Sequence, residues 1–456
     1  MILSAVFQRF LDQSPISVMA RGAMEYALSA ADLDRVFADA ADRQYTRSLL
    51  FSSLTELMST VVCRIRPSVH AAYQADPDRL GVSVRAVYDK LNRLEPGVTE
   101  AVVAHTAARL APVVRRLTGR RPGLLPGYRV RVLDGNHLAA TDRRLAVLRG
   151  HAAGPLPGQA LVVYDPDAGL VRAMVGCEDG HAQERAALPA VLGLARPREV
   201  WVADRNFCTT GFLFGLVLRR ANFVIRQHRQ TLHGELVGRR RAAGRCSGGR
   251  VWEQGVALRD GNGLRFVARR VTVGLDTPTR DGDAEVHVLT NLPAAVPAAR
   301  VADLYRKRWT IETAFAELAK TLSGEIDTLG YPRAALFGFG LALAAANVLA
   351  AVKAAVRAAH PDATDEVSGY YLADELAGTS RGMAIAIGPK AWVVFARLDD
   401  AGLARLLKEI AGRVTVARYR RHPRGPKKPP VPRRRDRGKP HVATARLLAG
   451  RKISGK

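Results

Sequence analysis

Tyr128-Arg129-Val130-Arg131-Val132-Leu133-Asp134-Gly135-Asn136 reads as a strand that delivers an acid. Tyr128, Val130 and Val132 alternate with arginines, the period of two expected of an extended segment, and Gly135-Asn136 supplies a turn after it. Asp134 then stands at the carboxyl end of an apolar strand, a usual place for a functional group in open α/β sheets. A turn or N-cap aspartate is the plain alternative, because Asp is common at both. Asp204 repeats the arrangement at the end of Val200-Trp201-Val202-Ala203-Asp204, ahead of a helix expected from Thr209 to Arg220.

Outward from these two acids the elements order well. Gln159 to Asp165 and Leu170 to Gly176 are apolar runs joined by Pro166-Asp167-Ala168-Gly169, a hairpin pattern. A helix pattern around His181 to Leu194 comes before the Asp204 strand, and a short strand at Phe223 to Ile225 comes after the second helix. The order β-β-β-α-β-α-β is that of a ribonuclease H-like fold, an α/β core on a mixed sheet, with one acid on the first strand and one on the fourth.

A third acid lies in Tyr305-Arg306-Lys307-Arg308-Trp309-Thr310-Ile311-Glu312. Leu304, Ile311, Phe315, Leu318 and Leu322 share one stripe at roughly 100° per residue, so the segment reads as a helix. Arg308, Glu312 and Tyr305 project beside that stripe, at about 40°, 80° and 100° from it. Arg and Tyr can bind phosphate oxygens while Glu holds a hard metal ion, which are the parts phosphoryl transfer on DNA requires. An amphipathic surface helix with an Arg308–Glu312 ion pair is the competing reading.

Together, Asp134-Gly135-Asn136, Ala203-Asp204-Arg205-Asn206-Phe207, Leu289-Thr290-Asn291-Leu292 and the Tyr305/Arg308/Glu312 helix resemble the signatures of DDE transposases of the insertion-sequence-four family. The resemblance covers roughly residues 40 to 350. That family's helix signature is Tyr, two residues, Arg, three residues, Glu, six residues, Lys. The lysine position is Ala319 here, with Lys320 one residue later. The resemblance implies a bacterial cut-and-paste enzyme in which Asp134, Asp204 and Glu312 coordinate two Mg²⁺ ions, with Mn²⁺ able to substitute. Arg308 then neutralises the scissile-strand phosphate, Tyr305 donates a hydrogen bond beside it, and Lys320 is a possible helper. It also implies double-stranded DNA partners (the element's terminal inverted repeats and a target), a homodimer in the synaptic complex, and a cytoplasmic, nucleoid-associated location. A β-rich insertion between the second and third acids fits the short β-like runs at Arg250 to Leu258, Leu264 to Val273 and Ala284 to Leu289.

Composition agrees with a nucleic-acid enzyme. There are 69 Lys+Arg against 42 Asp+Glu, a formal charge of +27, which favours phosphate polyanions and makes binding steeply salt-dependent. Cys63, Cys177, Cys208 and Cys246 lie far apart with no paired spacing, which points to neither a zinc site nor a disulfide scaffold, and so to a reduced cytosolic protein. His137 follows Asp134 closely and reads as a loop histidine that could approach the site. Ala334 to Val352 is uncharged and long enough to span a membrane, but it is dominated by Ala and Gly and carries Asn347, so a buried core helix is expected and no membrane partner. Met1-Ile2-Leu3-Ser4 lacks a basic n-region, and no signal peptide is expected.

The expected organisation is a helical DNA-binding region over 1–125 and a ribonuclease H-like domain over 126–360 with its β-rich insertion at about 226–300. A helical region at 361–417 and a basic disordered tail at 418–456 follow. Leu80-Gly81-Val82-Ser83-Val84-Arg85 resembles a helix-turn-helix whose second helix presents Arg85, Tyr88 or Lys90 to a groove; an ordinary capped helix in a bundle fits equally. Residues 418–440 hold eleven Lys/Arg, one acid and six prolines, which suits a sequence-indifferent phosphate tether. Two other classes stay open: a domesticated copy that binds DNA without cutting it, and a general basic nucleic-acid binder, for example of RNA.

Overall fold

The computed structural model describes residues 3–44, 48–118, 123–138, 145–148, 157–228, 232, 234–279, 282–363, 367–421 and 443–454. Nine strands form one mixed sheet: β1 (Arg129–Leu138), β2 (Gly158–Asp165), β3 (Leu170–Cys177), β4 (Glu199–Ala203), β5 (Asn222–Arg226), β6 (Glu235–Cys246), β7 (Gly249–Arg259), β8 (Arg265–Leu275) and β9 (Glu285–Thr290). Their spatial order is β3-β2-β1-β4-β5-β9-β8-β7-β6. β1, β4 and β5 run parallel, while β2 and β3 fold back antiparallel on one side. The β2–β3 hairpin turns at Gly169, whose φ of +70° is a conformation open to glycine, and Asp165 Oδ1 accepts the N–H groups of Asp167 and Ala168.

Helices cover both faces, so alternate side chains enter two different cores. Val130, Val132, Val162, Val202 and Val224 join one large core with the amino-terminal helices and the helix Pro332–Ala359. Leu133, Leu161, Trp201, Ala203 and Ile225 enter the other, against the helices Leu188–Leu194 and Thr210–Leu218. The arginines of β1 therefore do not all face water. Arg131 is buried, with Nε 3.0 Å from Glu199 and Nη1 2.8 Å from Asp165, which supplies the partners a buried guanidinium needs.

The helix Pro332–Ala359 is long and apolar enough to cross a membrane, but 83% of its most apolar window is buried inside the protein. Asn347 explains its polar interruption. Its amide accepts from Val171 N at 2.7 Å and donates to Val171 O at 2.9 Å, covering backbone groups of the edge strand β3.

Several expectations need correction. β1 does not end in a turn after Asp134: Gly135, Asn136 and His137 stay paired with Leu161, Ala160 and Gln159, which also places His137 on a strand. The inserted strands extend the core sheet directly, because β9 pairs with β5 through Val224↔Thr290 and Ile225↔Leu289. β6 had no apolar alternation to reveal it; its residues are almost all exposed, and pairing with β7 makes it a strand. At the carboxyl end, Tyr419 is buried and hydrogen-bonded to Glu375, and Thr444–Ser454 is helical. Residues 422–442, which carry most of the basic run, lie outside the described residues.

Candidate active site

The sheet brings the first two acids together. Leu133 pairs with Ala203 across parallel strands, so Asp134 and Asp204 stand at the same level on neighbours about 4.8 Å apart. Asp204 turns away from β4 and accepts Asn206 N at 2.8 Å, while Asp134 Oδ1 accepts Gly135 N at 3.0 Å.

The third acid arrives on a helix that is not continuous. Ala298–Arg306 and Trp309–Thr321 are separate helices, where the apolar stripe predicted one. Lys307 and Arg308 keep right-handed helical dihedrals, but Lys307 N bonds to Leu304 O and Arg308 N to Tyr305 O, both at 3.0 Å. Bonding to the third residue back instead of the fourth tightens this one turn. Tyr305 thus ends the first helix, and Glu312 lies in the first turn of the second.

Arg308 joins the pieces. Its Nη1 is 3.3 Å from Asp134 Oδ2 and its Nη2 is 2.7 Å from Glu312 Oε1. The Arg308 and Asp134 side chains are only 12% and 17% exposed, whereas Glu312 is 51% exposed, so the cluster is closed behind and open on the Glu312 side. Burial works against the charge of Arg308, yet Tyr305, Asp134 and Glu312 outweigh it and hold its pKa above the ordinary value. Tyr305 is pushed up, first by burial; Arg308, which shares a hydrogen bond with it, and Arg226 oppose the rise, and Asp204 adds to it.

Asp134 is the electrostatic centre. Burial pushes its pKa up to about 6, Arg308 and the Gly135 N–H pull it down, and the charges of Asp204 and Glu312 push it up again. Three carboxylates in a partly dry site, one of them resisting ionisation, form a donor set suited to a hard divalent cation. Among the described residues, however, no three His, Cys, Asp or Glu side chains are already gathered closely enough to hold a metal, and Arg308 is the cation lying between Asp134 and Glu312.

The remaining expected contacts divide. Ala319 and Lys320 belong to the Trp309–Thr321 helix, but their side chains lie outside the described residues. Arg85 is 90% exposed on the helix Val84–Arg93, which starts at Ser83 after the left-handed Gly81, so the turn between two helices is present. Lys90 is a correction. Its ammonium donates to Leu49 O at 3.0 Å and lies 4.9 Å from the Phe37 ring, because its stem covers apolar surface, and it does not face a groove.

Sequence reasoning gave no role to Glu184, Arg185 or Arg226. Arg226 ends β5 and, with Arg205, His228, His287, Asp283 and Glu285, lines a cleft of ≈ 350 Å³. Arg205, which lines the cleft, follows Asp204 directly in the chain, so the cleft adjoins the carboxyl end of β4. Only the tertiary arrangement reveals these residues, since nothing in their spacing refers to Asp134.

Comparison with known proteins bears on this cluster. No curated protein matches the chain. Among solved structures, a chain from the cryo-EM piggyBac transposase synaptic complex with hairpin DNA aligns at a TM-score of 0.38 and 10% identity, covering 87% of each chain, a likeness too slight to carry weight. Residues 125–348 match the family model described as the transposase DDE domain. The matched stretch holds Asp134, Asp204, Tyr305, Arg308 and Glu312, so the candidate site lies wholly within the part of the chain that is similar to a transposase DDE domain.

Proposed function

We propose that this protein is a cut-and-paste transposase of the insertion-sequence-four type, with a ribonuclease H-like core, that cuts DNA at the ends of its element and joins them to a target. The observation that carries the reading is that Arg308 bridges Asp134 and Glu312, from a sheet strand and a distant helix, while Asp204 stands beside Asp134 at the end of the adjacent parallel strand.

Asp134, Asp204 and Glu312 would hold two divalent ions, Mg²⁺ or Mn²⁺. When bound, these ions supply activation of the attacking oxygen and stabilisation of the leaving oxygen in an in-line displacement. The chain's own groups do the rest. Arg308, released from its two carboxylates, offers a planar fork to the scissile phosphate, and Tyr305 donates a hydrogen bond beside it. In hydrolysis the oxygen of water bonds to phosphorus and the bond to the 3′ oxygen breaks, leaving a 3′-hydroxyl and a 5′-phosphate. In strand transfer that 3′-hydroxyl bonds to a target phosphorus and displaces the target's 3′ oxygen. Lys320 is a candidate for a further phosphate contact, and Arg85 for a groove contact from the amino-terminal helices. Two protomers, each bound to one end, would make the synaptic complex.

The test is Mg²⁺-dependent cleavage of DNA carrying the inverted repeats that flank the gene. Asp134→Ala, Asp204→Ala and Glu312→Ala are each expected to abolish cleavage and to leave DNA binding in EDTA largely intact, since each removes a metal ligand and not the phosphate-binding surface. Near-normal cleavage by any one of them removes that residue from the site. Absence of cleavage by the unaltered protein under all metal conditions favours the second reading, a DNA-binding protein without catalysis, which the Ala319 departure suits.

A further inference from the structure

We propose that Glu184 and Arg185 are positioning residues that fix the two strand-borne acids relative to each other, by clasping Asn206 on the opposite face of the sheet. The proposal rests on Asp134 and Asp204 being metal ligands.

Side chains alternate along β1. Asp134 falls on the face of Val132 and the large core, and Gly135 on the face of Leu133 and the second core. Glu184 begins the short turn of helix that leads into Leu188–Leu194, whose Leu188 and Val191 belong to that second core. It therefore reaches the acids from behind. A Cβ at residue 135 would lie 2.0 Å from Glu184 Oε1, so the carboxylate occupies the side-chain space of Gly135. His137, one step further on the same face, has Nδ1 3.9 Å from Glu184 Oε1.

The other oxygen of Glu184 reaches the second acid. Asn206 Nδ2 donates to Glu184 Oε2 at 2.5 Å. Arg185 Nε donates to Asn206 O at 2.7 Å and to its Oδ1 at 3.2 Å, so the amide and backbone of Asn206 are gripped from two sides. Asn206 N in turn donates to Asp204 Oδ1 at 2.8 Å. An unbroken series of contacts thus runs from the Asp134–Gly135 strand through Glu184 and Asn206 to the Asp204 carboxylate. The bonds fix the Asp204 rotamer and the gap between the acids, the quantity that a shared pair of ions depends on.

The experiment uses the full chain and Mn²⁺ as probe, with free Mn²⁺ followed by electron paramagnetic resonance. Glu184→Ala and Asn206→Ala are expected to weaken Mn²⁺ binding about tenfold or more, as loss of a partner that orients a ligand generally does. Glu184→Gln retains an oxygen that can accept from Asn206 and is expected to bind Mn²⁺ within about threefold of the unaltered protein. DNA affinity in EDTA and the thermal midpoint should stay unchanged in all three. Unchanged Mn²⁺ affinity in Glu184→Ala overturns the clasp. So does a parallel fall in Mn²⁺ affinity, DNA affinity and thermal midpoint in both Glu184 variants, which marks plain structural support. Asp204→Ala is the control for the underlying reading: if it too leaves Mn²⁺ binding unchanged, the acids hold no metal and both ideas fall, whereas loss there with none in Glu184→Ala removes the clasp alone.

Discussion

Replacing Asp134 by Asn should stabilise the fold while destroying the proposed chemistry. In the folded protein burial raises the Asp134 pKa to about 6 from an ordinary 3.8, so the folded state holds its proton more tightly than the unfolded chain does. Stability must then fall as pH rises through the interval between these values, and the cost is fully present above about 6. At about 1.36 kcal/mol per pH unit, the rise corresponds to about 3 kcal/mol at pH 8, of which about half remains near pH 5. Asn cannot ionise, its amide oxygen can still accept Gly135 N, and Arg308 keeps Glu312 as a partner. Urea unfolding of the two proteins in EDTA should show the Asp134→Asn variant more stable by about 3 kcal/mol at pH 8, with the gap closing as pH falls toward 4. Added Mg²⁺ should stabilise only the unaltered protein, because binding to the folded state alone shifts the equilibrium. A variant no more stable than wild type at pH 8, or a gap independent of pH, would refute the claim that Asp134 is held ionised at a cost.

Two further outcomes follow from the same geometry. Arg308→Lys keeps the charge but not the fork that spans Asp134 and Glu312, so cleavage of the element's ends should fall about 10–100-fold, the equivalent of one lost charged hydrogen bond of about 1.5–3 kcal/mol; equal rates would show that only the charge at this position matters. Deletion of residues 422–442 removes eight Lys/Arg, and should weaken binding to all DNA sequences alike. If half of those residues touch phosphate, the slope of log affinity against log salt drops by about 4, and a changed sequence preference would contradict a tether role.

The sheet and its acids were legible because their signals are local and repetitive. Val130, Val132 and Val200 to Val202 mark strands whose burial is set by period and apolar content; Asp204 follows the end of β4, whereas β1 runs on past Asp134 because Gly135 to Leu138 stay paired with β2. The break at Lys307–Arg308 was not legible, since it contains neither Gly nor Pro and differs from a helix only in which carbonyl accepts. β6 was missed because it is stabilised by pairing and not by a buried face. Lys90 looked like a groove contact because its spacing is amphipathic, but its four-carbon stem packs on Phe37. Glu184 and Asn206 are 22 positions apart and acquire meaning only when the sheet closes between them.

The large core has a consequence for how the chain is made. Ser17 donates its backbone N–H to Glu375 Oε1 at 3.0 Å, Phe7 packs edge-on against Trp392 at 5.0 Å, and the space a Gly22 side chain would need is filled by Phe395. Tyr419 holds the same Glu375 from the other end of the sequence. The segments that hold Phe7, Ser17 and Gly22 are therefore completed by residues made roughly 360–385 positions later. At roughly 5–20 residues per second, that interval lasts about 20–80 s. Through it Phe7, Ser17 and Gly22 lack these partners, so the helices around them gain their final packing only once residues 375–395 have been made, and a nascent chain stopped short of residue 375 presents the Phe7 face to chaperones.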